Sequence, residues 1–428
     1  MSLHYVASVL LLALRNEPWV VSAMRAANSA DSRHIDIAAP RIVRGVLSLA
    51  TLSVAMLAAP TPAIAQAAVR QTPTVIWATK LGFRDWGDVV RVNGLIVGSN
   101  SSGHGGLFAV DEATGKLRWK VVTSNMTGES PASDGKFVVV PWTTDPALAA
   151  YTLATGKLAW SKPFDPVDDG QPVIVDGLVI AQHEDGYLYA FDVATGAERW
   201  KYQYARKSNW CAAGQPAVAD GIVYISSGLQ SPANSKTDYF LHAIDAKTGQ
   251  ELWRYNPLSQ YPNNYGACLV EVLAVGDTIV AVSDEYLYGV DRATGQQKYR
   301  VDTMDGTRRK HLRGLVQASG YVYGVTQGQF WAVDARTGRT AWTLPGEYSD
   351  TFVGTAAADG VVYFQGRVAG IDTGPKDSGG VLHAVDVQTR QVLWSFKYPT
   401  EEPWSFGIAV AADGAIFVGT YQTMLKLK

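Results

Sequence analysis

Residues 308 to 313 read Arg-Arg-Lys-His-Leu-Arg, four cations and a histidine in six positions. In a chain whose acids outnumber its bases, such a run suits an anionic or carboxylate-bearing group. Three tryptophans stand in similar polar stretches: Trp86 beside Arg84 and Asp85, Trp210 beside Asn209, and Trp404 close to Glu401. A flat aromatic face beside charged groups suits a planar or sugar-like ligand. Tyr265 follows two asparagines, and Tyr348 lies two residues before Asp350. The candidate ligand- or partner-binding residues are therefore Arg84, Asp85, Trp86, Trp210, Tyr265, Arg308, Arg309, His311, Arg313, Tyr348, Asp350 and Trp404. No catalytic residue is assignable from spacing. Asp168 with Asn209 offers oxygen ligands for calcium, but no spacing compels that site. The plainer account of 308–313 is a solvated charge run balanced by Asp302 and Asp305.

The elements that must position these residues repeat. Phe-Ala-Val-Asp-Glu-Ala-Thr-Gly-Lys-Leu-Arg-Trp ends at Trp119, and close copies end at Trp200, Trp253, Tyr299, Trp342 and Trp394. A seventh copy, ending at Trp160, has Thr152 in place of the aspartate. With Trp77 these make eight aromatic positions, 40 to 53 residues apart, which is the size of a propeller blade. Upstream of each phrase lies a turn dyad and a β-branched run, the signature of a hairpin. The dyads are Asn93-Gly94, Asp134-Gly135, Asp176-Gly177, Asp220-Gly221, Gly276-Asp277, Ser319-Gly320, Asp359-Gly360 and Asp413-Gly414. Each unit reads as four antiparallel strands, A to D, with the aromatic residue on outer strand D. The expected fold is all-β, an eight-bladed propeller. Its last blade receives strands A to C from the C-terminus and strand D from Thr74–Trp77, which removes an open sheet edge.

In such a blade the A–B and C–D turns share one face, and the B–C and D–A connections share the other. The turn face is short and uniform. Every insertion falls on the loop face, at 99–106, 228–239, 255–266, 301–313 and 367–380, and the candidate residues lie there. Asp111, Asp192, Asp245, Asp291, Asp334 and Asp386 recur one per blade on the turn face, so they are read as turn-forming, not catalytic. His242 and His383 fall in a strand slot and are read as strand residues.

The pattern Ala-x-Asp-x-x-Thr-Gly-x-x-x-Trp resembles the pyrroloquinoline-quinone (PQQ) propeller repeat family over residues 74 to 428. That resemblance implies either a quinoprotein dehydrogenase or a BamB-type outer-membrane assembly protein, and the repeat itself does not choose. Dehydrogenases of the family typically carry a vicinal Cys-Cys pair, a Glu/Asn/Asp calcium set and often a haem domain. Here Cys211 and Cys268 are separate and no Cys-x-x-Cys-His occurs. The leading expectation is thus an exported binding or scaffold protein whose partner is an envelope protein or a small polar or aromatic ligand. It is expected to need no cofactor and to be monomeric. The alternative is a PQQ-dependent oxidoreductase with calcium, and the third is a carbohydrate-binding or carbohydrate-cleaving propeller. The missing lipid-attachment cysteine departs from the BamB pattern and puts tethering to a membrane in doubt.

Composition bounds these readings. Lys and Arg number 37 against 39 Asp and Glu, which argues against a nucleic-acid partner. Apolar residues make up 47% and charged ones 18%, enough to build a large core. Residues 1–65 read as a leader: Arg41 and Arg44, an apolar run from Gly45 to Ala59, then Ala63-Ile64-Ala65 as a secretory cleavage site. That run is too short to span a bilayer, so the expected product is soluble, periplasmic or secreted, with residues 66–428 as one propeller domain. The first 40 residues suggest a mis-assigned start. Two cysteines on adjacent blades in an oxidising compartment make Cys211–Cys268 a candidate disulfide.

Overall fold

The computed structural model describes residues 71–82, 86–100, 106–123, 130–166, 170–205, 215–230, 237–257, 269–283, 286–302, 313–326, 329–347, 355–368, 381–398, 405–410, 414–420 and 423–428. The chain divides into two compact units, Met1–Ala63 and Ile64–Lys428. The first lies outside the described residues, as do the rest of the proposed leader, Cys211 and Cys268.

The second unit is built of strands. The first, β1 (Val75–Lys80), precedes blade 1: β2 (Trp86–Val92), β3 (Leu95–Asn100), β4 (Gly106–Asp111) and β5 (Leu117–Val122). Blade 2 is β6 (Ala132–Ser133), β7 (Phe137–Trp142), β8 (Ala147–Thr152) and β9 (Leu158–Pro163). Blade 3 is β10 (Val173–Val175), β11 (Leu178–Gln182), β12 (Tyr187–Asp192) and β13 (Glu198–Gln203). Blade 4 is β14 (Ala217–Ala219), β15 (Ile222–Gln230), β16 (Thr237–Asp245) and β17 (Glu251–Tyr255). Blade 5 is β18 (Leu269–Val275), β19 (Thr278–Ser283), β20 (Tyr286–Asp291) and β21 (Gln297–Asp302). Blade 6 is β22 (Arg313–Ala318), β23 (Tyr321–Thr326), β24 (Gln329–Asp334) and β25 (Thr340–Glu347). Blade 7 is β26 (Thr355–Ala358), β27 (Val361–Val368), β28 (Val381–Asp386) and β29 (Gln391–Lys397). Blade 8 takes β30 (Ser405–Val410), β31 (Ile416–Thr420) and β32 (Thr423–Leu427), and β1 completes it in the order β1-β32-β31-β30.

Thr74 and Lys428 exchange backbone hydrogen bonds at 2.8 and 3.0 Å, so the two ends of the unit are paired. The expected ring closure is present.

Local chemistry explains the hairpins. Asn93, Asp176, Asp220, Ser319 and Asp359 all have φ near +50°, each followed by a glycine with positive φ, the geometry of a two-residue turn whose twist matches the strands it joins. The Asp-x-x-Thr-Gly turn works as the sequence suggests. In blade 4 the Asp245 carboxylate accepts the Thr248 N–H at 2.8 Å and its hydroxyl at 2.7 Å, while Gly249 at φ +73° carries the chain round. Blade 7 departs from the pattern: Arg390 holds the glycine position at φ +63°.

Eight apolar clusters form the core, and each joins two consecutive blades. The outer aromatic residues tie the same junctions. Trp77, Trp119, Trp160, Trp200 and Trp253 each donate the indole N–H to a backbone carbonyl of the next blade, at 2.7 to 3.2 Å. Each ring also covers the next blade's turn glycine so closely that a Cβ there would stand 2.6 to 2.8 Å from it. Glycine is required at those turns by contact as well as by φ.

Two segments differ from the sequence reading. Residues 228–239 were expected as an irregular loop, yet β15 and β16 pair from Ile222↔Asp245 to Gln230↔Thr237. Blades 6 and 7 are also joined: β25 runs on to pair Gly346 with Val368 and Glu347 with Arg367 of β27.

Candidate functional site

Most of the residues singled out from sequence fall outside the described residues: Arg84, Asp85, Trp210, Tyr265, Arg308, Arg309, His311, Tyr348, Asp350 and Trp404, with Asp168 and Asn209. Two have placed backbones. Trp86 opens β2 opposite Asn100, and Arg313 opens β22 opposite Val325. Both therefore sit where an inner strand leaves the loop face, on blades 1 and 6, with blades 7 and 8 between. Glu347, next to Tyr348, pairs with Arg367 at that same end.

The roots of these loops are stitched together. Glu271 of β18 accepts the N–H groups of Gly314 at 2.9 Å and Leu315 at 2.7 Å, both on β22. Thr355 of β26 donates its hydroxyl to the Gly314 carbonyl at 2.7 Å. Three consecutive inner strands are thus fixed beside Arg313, where the basic segment ends. Gly314 has φ +61°, which turns the two successive N–H groups toward one carboxylate. A lone acid in the apolar run Leu-Val-Glu-Val-Leu is a signal that sequence reading passed over.

The interior beneath this face is polar. Ser99, Gln182 and Ser283 are buried at or beside the loop-face ends of the B strands β3, β11 and β19, Ser226, Ser227 and Gln365 are buried midway along the longer β15 and β27, and Thr278 is buried at the opposite end of β19. His242 and His383 are buried on C strands near the same level, and both are strand residues as expected. His242 has three polar partners: Ser227 Oγ at 2.7 Å from Nε2, and Glu251 Oε1 at 3.0 Å and Tyr202 Oη at 3.2 Å from Nδ1. Burial holds its pKa below the usual histidine value, against the pull of Glu251. Buried polar groups cost free energy unless satisfied, so each of these positions calls for a partner.

Aromatic residues gather on the same face between blades 2 and 3. Phe164 meets His183 edge-on at 4.7 Å, and Tyr189 donates its hydroxyl to Asp185 at 2.7 Å. Burial and the Asp185 charge push the Tyr189 pKa up to about 12.

The opposite face also has a cleft, of about 840 Å³, lined by Asn93, Asp111, Glu112, Arg118, Lys136 and Lys426 among others. Its charges are engaged in the scaffold: Arg91 pairs with Glu112 at 2.9 Å, and Lys426 donates to the Glu112 carbonyl at 3.1 Å. Among the described residues, no group of three or more His, Cys, Asp or Glu stands close enough to hold a metal ion. Nor is any helix among them long and apolar enough to cross a membrane.

Four-stranded blades in a closed ring, Asp-x-x-Thr-Gly turns on one face and a polar, elaborated other face define a propeller of the PQQ-like repeat class. The chain belongs to the family described as outer membrane protein assembly factor BamB, which matches residues 103–344. It is 23% identical to outer membrane protein assembly factor BamB of Burkholderia pseudomallei, over 78% of this chain and 70% of that one. It is also 29% identical to quinohemoprotein alcohol dehydrogenase of Comamonas testosteroni, over 32% of this chain but 20% of that protein. The chain spans a third or less of the length of the first curated relatives it matches. Among solved structures, BamB from Moraxella catarrhalis superposes with a TM-score of 0.59 at 16% identity, covering 84% of this chain and 98% of that one, which shows a shared fold.

Proposed function

We propose that this protein is an exported binding or scaffold propeller of the BamB kind that holds an envelope protein on its loop face. The observation that carries this reading is one-sidedness. Among the described residues, the nine-residue strands β15 and β16 and the β25–β27 join extend toward one face, where the longest connections also fall in the sequence and most of the buried polar side chains lie nearer, while the other face carries the repeated turns. The basic segment with Arg308, Arg309, His311 and Arg313, flanked by Trp86, Trp404, Tyr348 and Asp350, is the proposed centre of contact. Arg84, Asp85, Trp210 and Tyr265, which the sequence places in connections of the same kind, are proposed as further contact residues. The similarity to BamB along most of this chain supports a partner-binding role over a small-molecule reaction.

A photo-crosslinking residue at Arg309 or at Trp86 in the exported protein should capture a discrete envelope protein, and one at Lys116 on the turn face should not. Arg308→Ala with Arg309→Ala should abolish that capture while shifting stability little, because exposed charge pairs contribute about 0–1 kcal/mol. Capture that survives both this double change and Trp86→Ala would place the working surface elsewhere.

A second reading, a PQQ- and calcium-dependent oxidoreductase, is favoured by similarity to the dehydrogenase subunit of a quinone alcohol dehydrogenase over 64% of this chain. Among the described residues Glu271 has its two oxygens on backbone amides, and the oxygen donors that the sequence offers for this reading, Asp168 and Asn209, lie outside them. Quinone absorbance retained after desalting from PQQ and Ca²⁺, together with dye-linked alcohol oxidation, would establish this reading over the first.

A further inference from the structure

Among the described residues, the buried chain linking blades 3 and 4 has no part in the proposed contact surface. Tyr202 lies on β13, the outer strand of blade 3. Ser227, His242 and Glu251 lie on β15, β16 and β17 of blade 4. Ser227 and His242 are almost wholly enclosed, at 0% and 1% exposure. The equivalent slot to His242 holds an aromatic ring, Phe108, Tyr189, Tyr288 and Trp331, in blades 1, 3, 5 and 6, and a second histidine, His383, in blade 7, where its Nδ1 meets Ser395 Oγ at 2.8 Å and no carboxylate takes the place of Glu251 among the described residues.

The hydrogen-bond arithmetic fixes the protonation state. A carboxylate only accepts, so Glu251 requires the proton on Nδ1, and Nε2 is left with a lone pair for the Ser227 hydroxyl. Tyr202 reaches the same Glu251–His242 pair from the neighbouring blade. Every group is satisfied with His242 neutral. Adding a proton gives Nε2 an N–H that points at Ser227, whose own hydrogen then has no acceptor among the described residues, and places a charge at an enclosed position. The titratable or charged groups facing His242 are Tyr202 from β13 and Glu251 and Arg254 from β17, while β15 presents only Ser227. Arg254 opposes the proton and Glu251 favours it.

We propose that Tyr202, Glu251, His242 and Ser227 form an acid-sensitive latch between blades 3 and 4, closed with His242 neutral and loosened on its protonation. The loosened element is the β15–β16 hairpin, which carries the nine-pair ladder toward the loop face. Acidification would therefore soften a recognition hairpin without opening the ring as a whole. The sign follows from linkage. A buried histidine with a lowered pKa contributes stability that is present above the ordinary value of 6.5 and is lost as pH falls below it.

Hydrogen–deuterium exchange on the full chain at pH 7.5 and 5.5, corrected for intrinsic rates, tests this. Protection in Ile222–Gln230 and Thr237–Asp245 should fall about threefold or more, while Thr278–Ser283 and Tyr286–Asp291 of blade 5, where no histidine occurs, should hold steady. In His242→Tyr, which borrows the residue of the sister blades, the fall should vanish. An equal fall in blades 4 and 5, no fall at all, or a fall that persists in the variant would overturn the latch. If the variant does not fold, the comparison of the two blades in the unaltered protein decides alone.

Discussion

The ring of Tyr299 fills the space where a side chain of Gly289 would stand. Every other blade with the full motif has alanine at that slot and tryptophan on the outer strand, as with Ala243 and Trp253, which are register partners. In blade 5 both differ together: Gly289 pairs with Tyr299, whose hydroxyl donates to the Ala335 carbonyl at 2.8 Å. The phenol reaches the next blade as an indole would, but its ring lies where alanine's methyl would be.

This coupling predicts a double-mutant cycle with a positive interaction. Gly289→Ala should destabilise by about 1–3 kcal/mol through overpacking. Tyr299→Trp alone should leave a poorly filled slot. The double change should recover most of the loss, with a coupling of about 1 kcal/mol or more in denaturant unfolding. Simple additivity would show that the two positions do not share space.

Deleting residues 74 to 79 should cost several times the ordinary mutation, which is about 1 kcal/mol. It removes β1 and uncovers the edge of β32, along with the Trp77 bonds to blade 1. A loss of about 1 kcal/mol or less in denaturant unfolding would show that β1 does not hold the ring.

Acid sensitivity should have a second, lower stage. Thr114, Thr248 and Thr294 hold the carboxyls of Asp111, Asp245 and Asp291 below the usual 3.8, and Arg199 holds Asp192 at about 2. A lowered carboxylate pKa contributes stability that is present above 3.8 and lost as pH falls toward the folded-state value. The melting temperature should thus decline below about pH 4, and Asp245→Asn should both lower it at pH 6 and flatten that decline. A variant with an unchanged acid limb would remove the turn aspartates as its cause.

Export should release a chain beginning at Gln66, because the arginines, apolar run and Ala-Ile-Ala stand in order before it. N-terminal sequencing of protein recovered from the envelope decides this. A recovered start at Met1 would rule out cleavage.

The fold was legible because its determinants are local and repeated. Asp245, Thr248, Gly249 and Trp253 occupy twelve consecutive positions with their neighbours, and their copies multiply the signal. The loop face was harder to read for the opposite reason. Glu271 meets Gly314 across 43 residues, and Tyr202 meets His242 across 40, with no motif joining either pair. Residues such as Arg309 and Trp404 announce chemistry by type alone, while their placement depends on connections that follow no repeat.

Thr74 meets Lys428 across 354 positions, so the sheet that closes the ring joins the two most distant parts of the propeller. Consecutive blades can dock locally, since their shared clusters join neighbours in sequence. The final sheet cannot, because its outer strand is made first and its inner three are made last. Until β32 arrives, β1 is an unpaired strand carrying Val75, Ile76 and Trp77, and loop-closure entropy makes that wait long. An exported chain would therefore be open to mispairing at β1 until the ring closes, and a chaperone that covered that one strand would protect the whole ring.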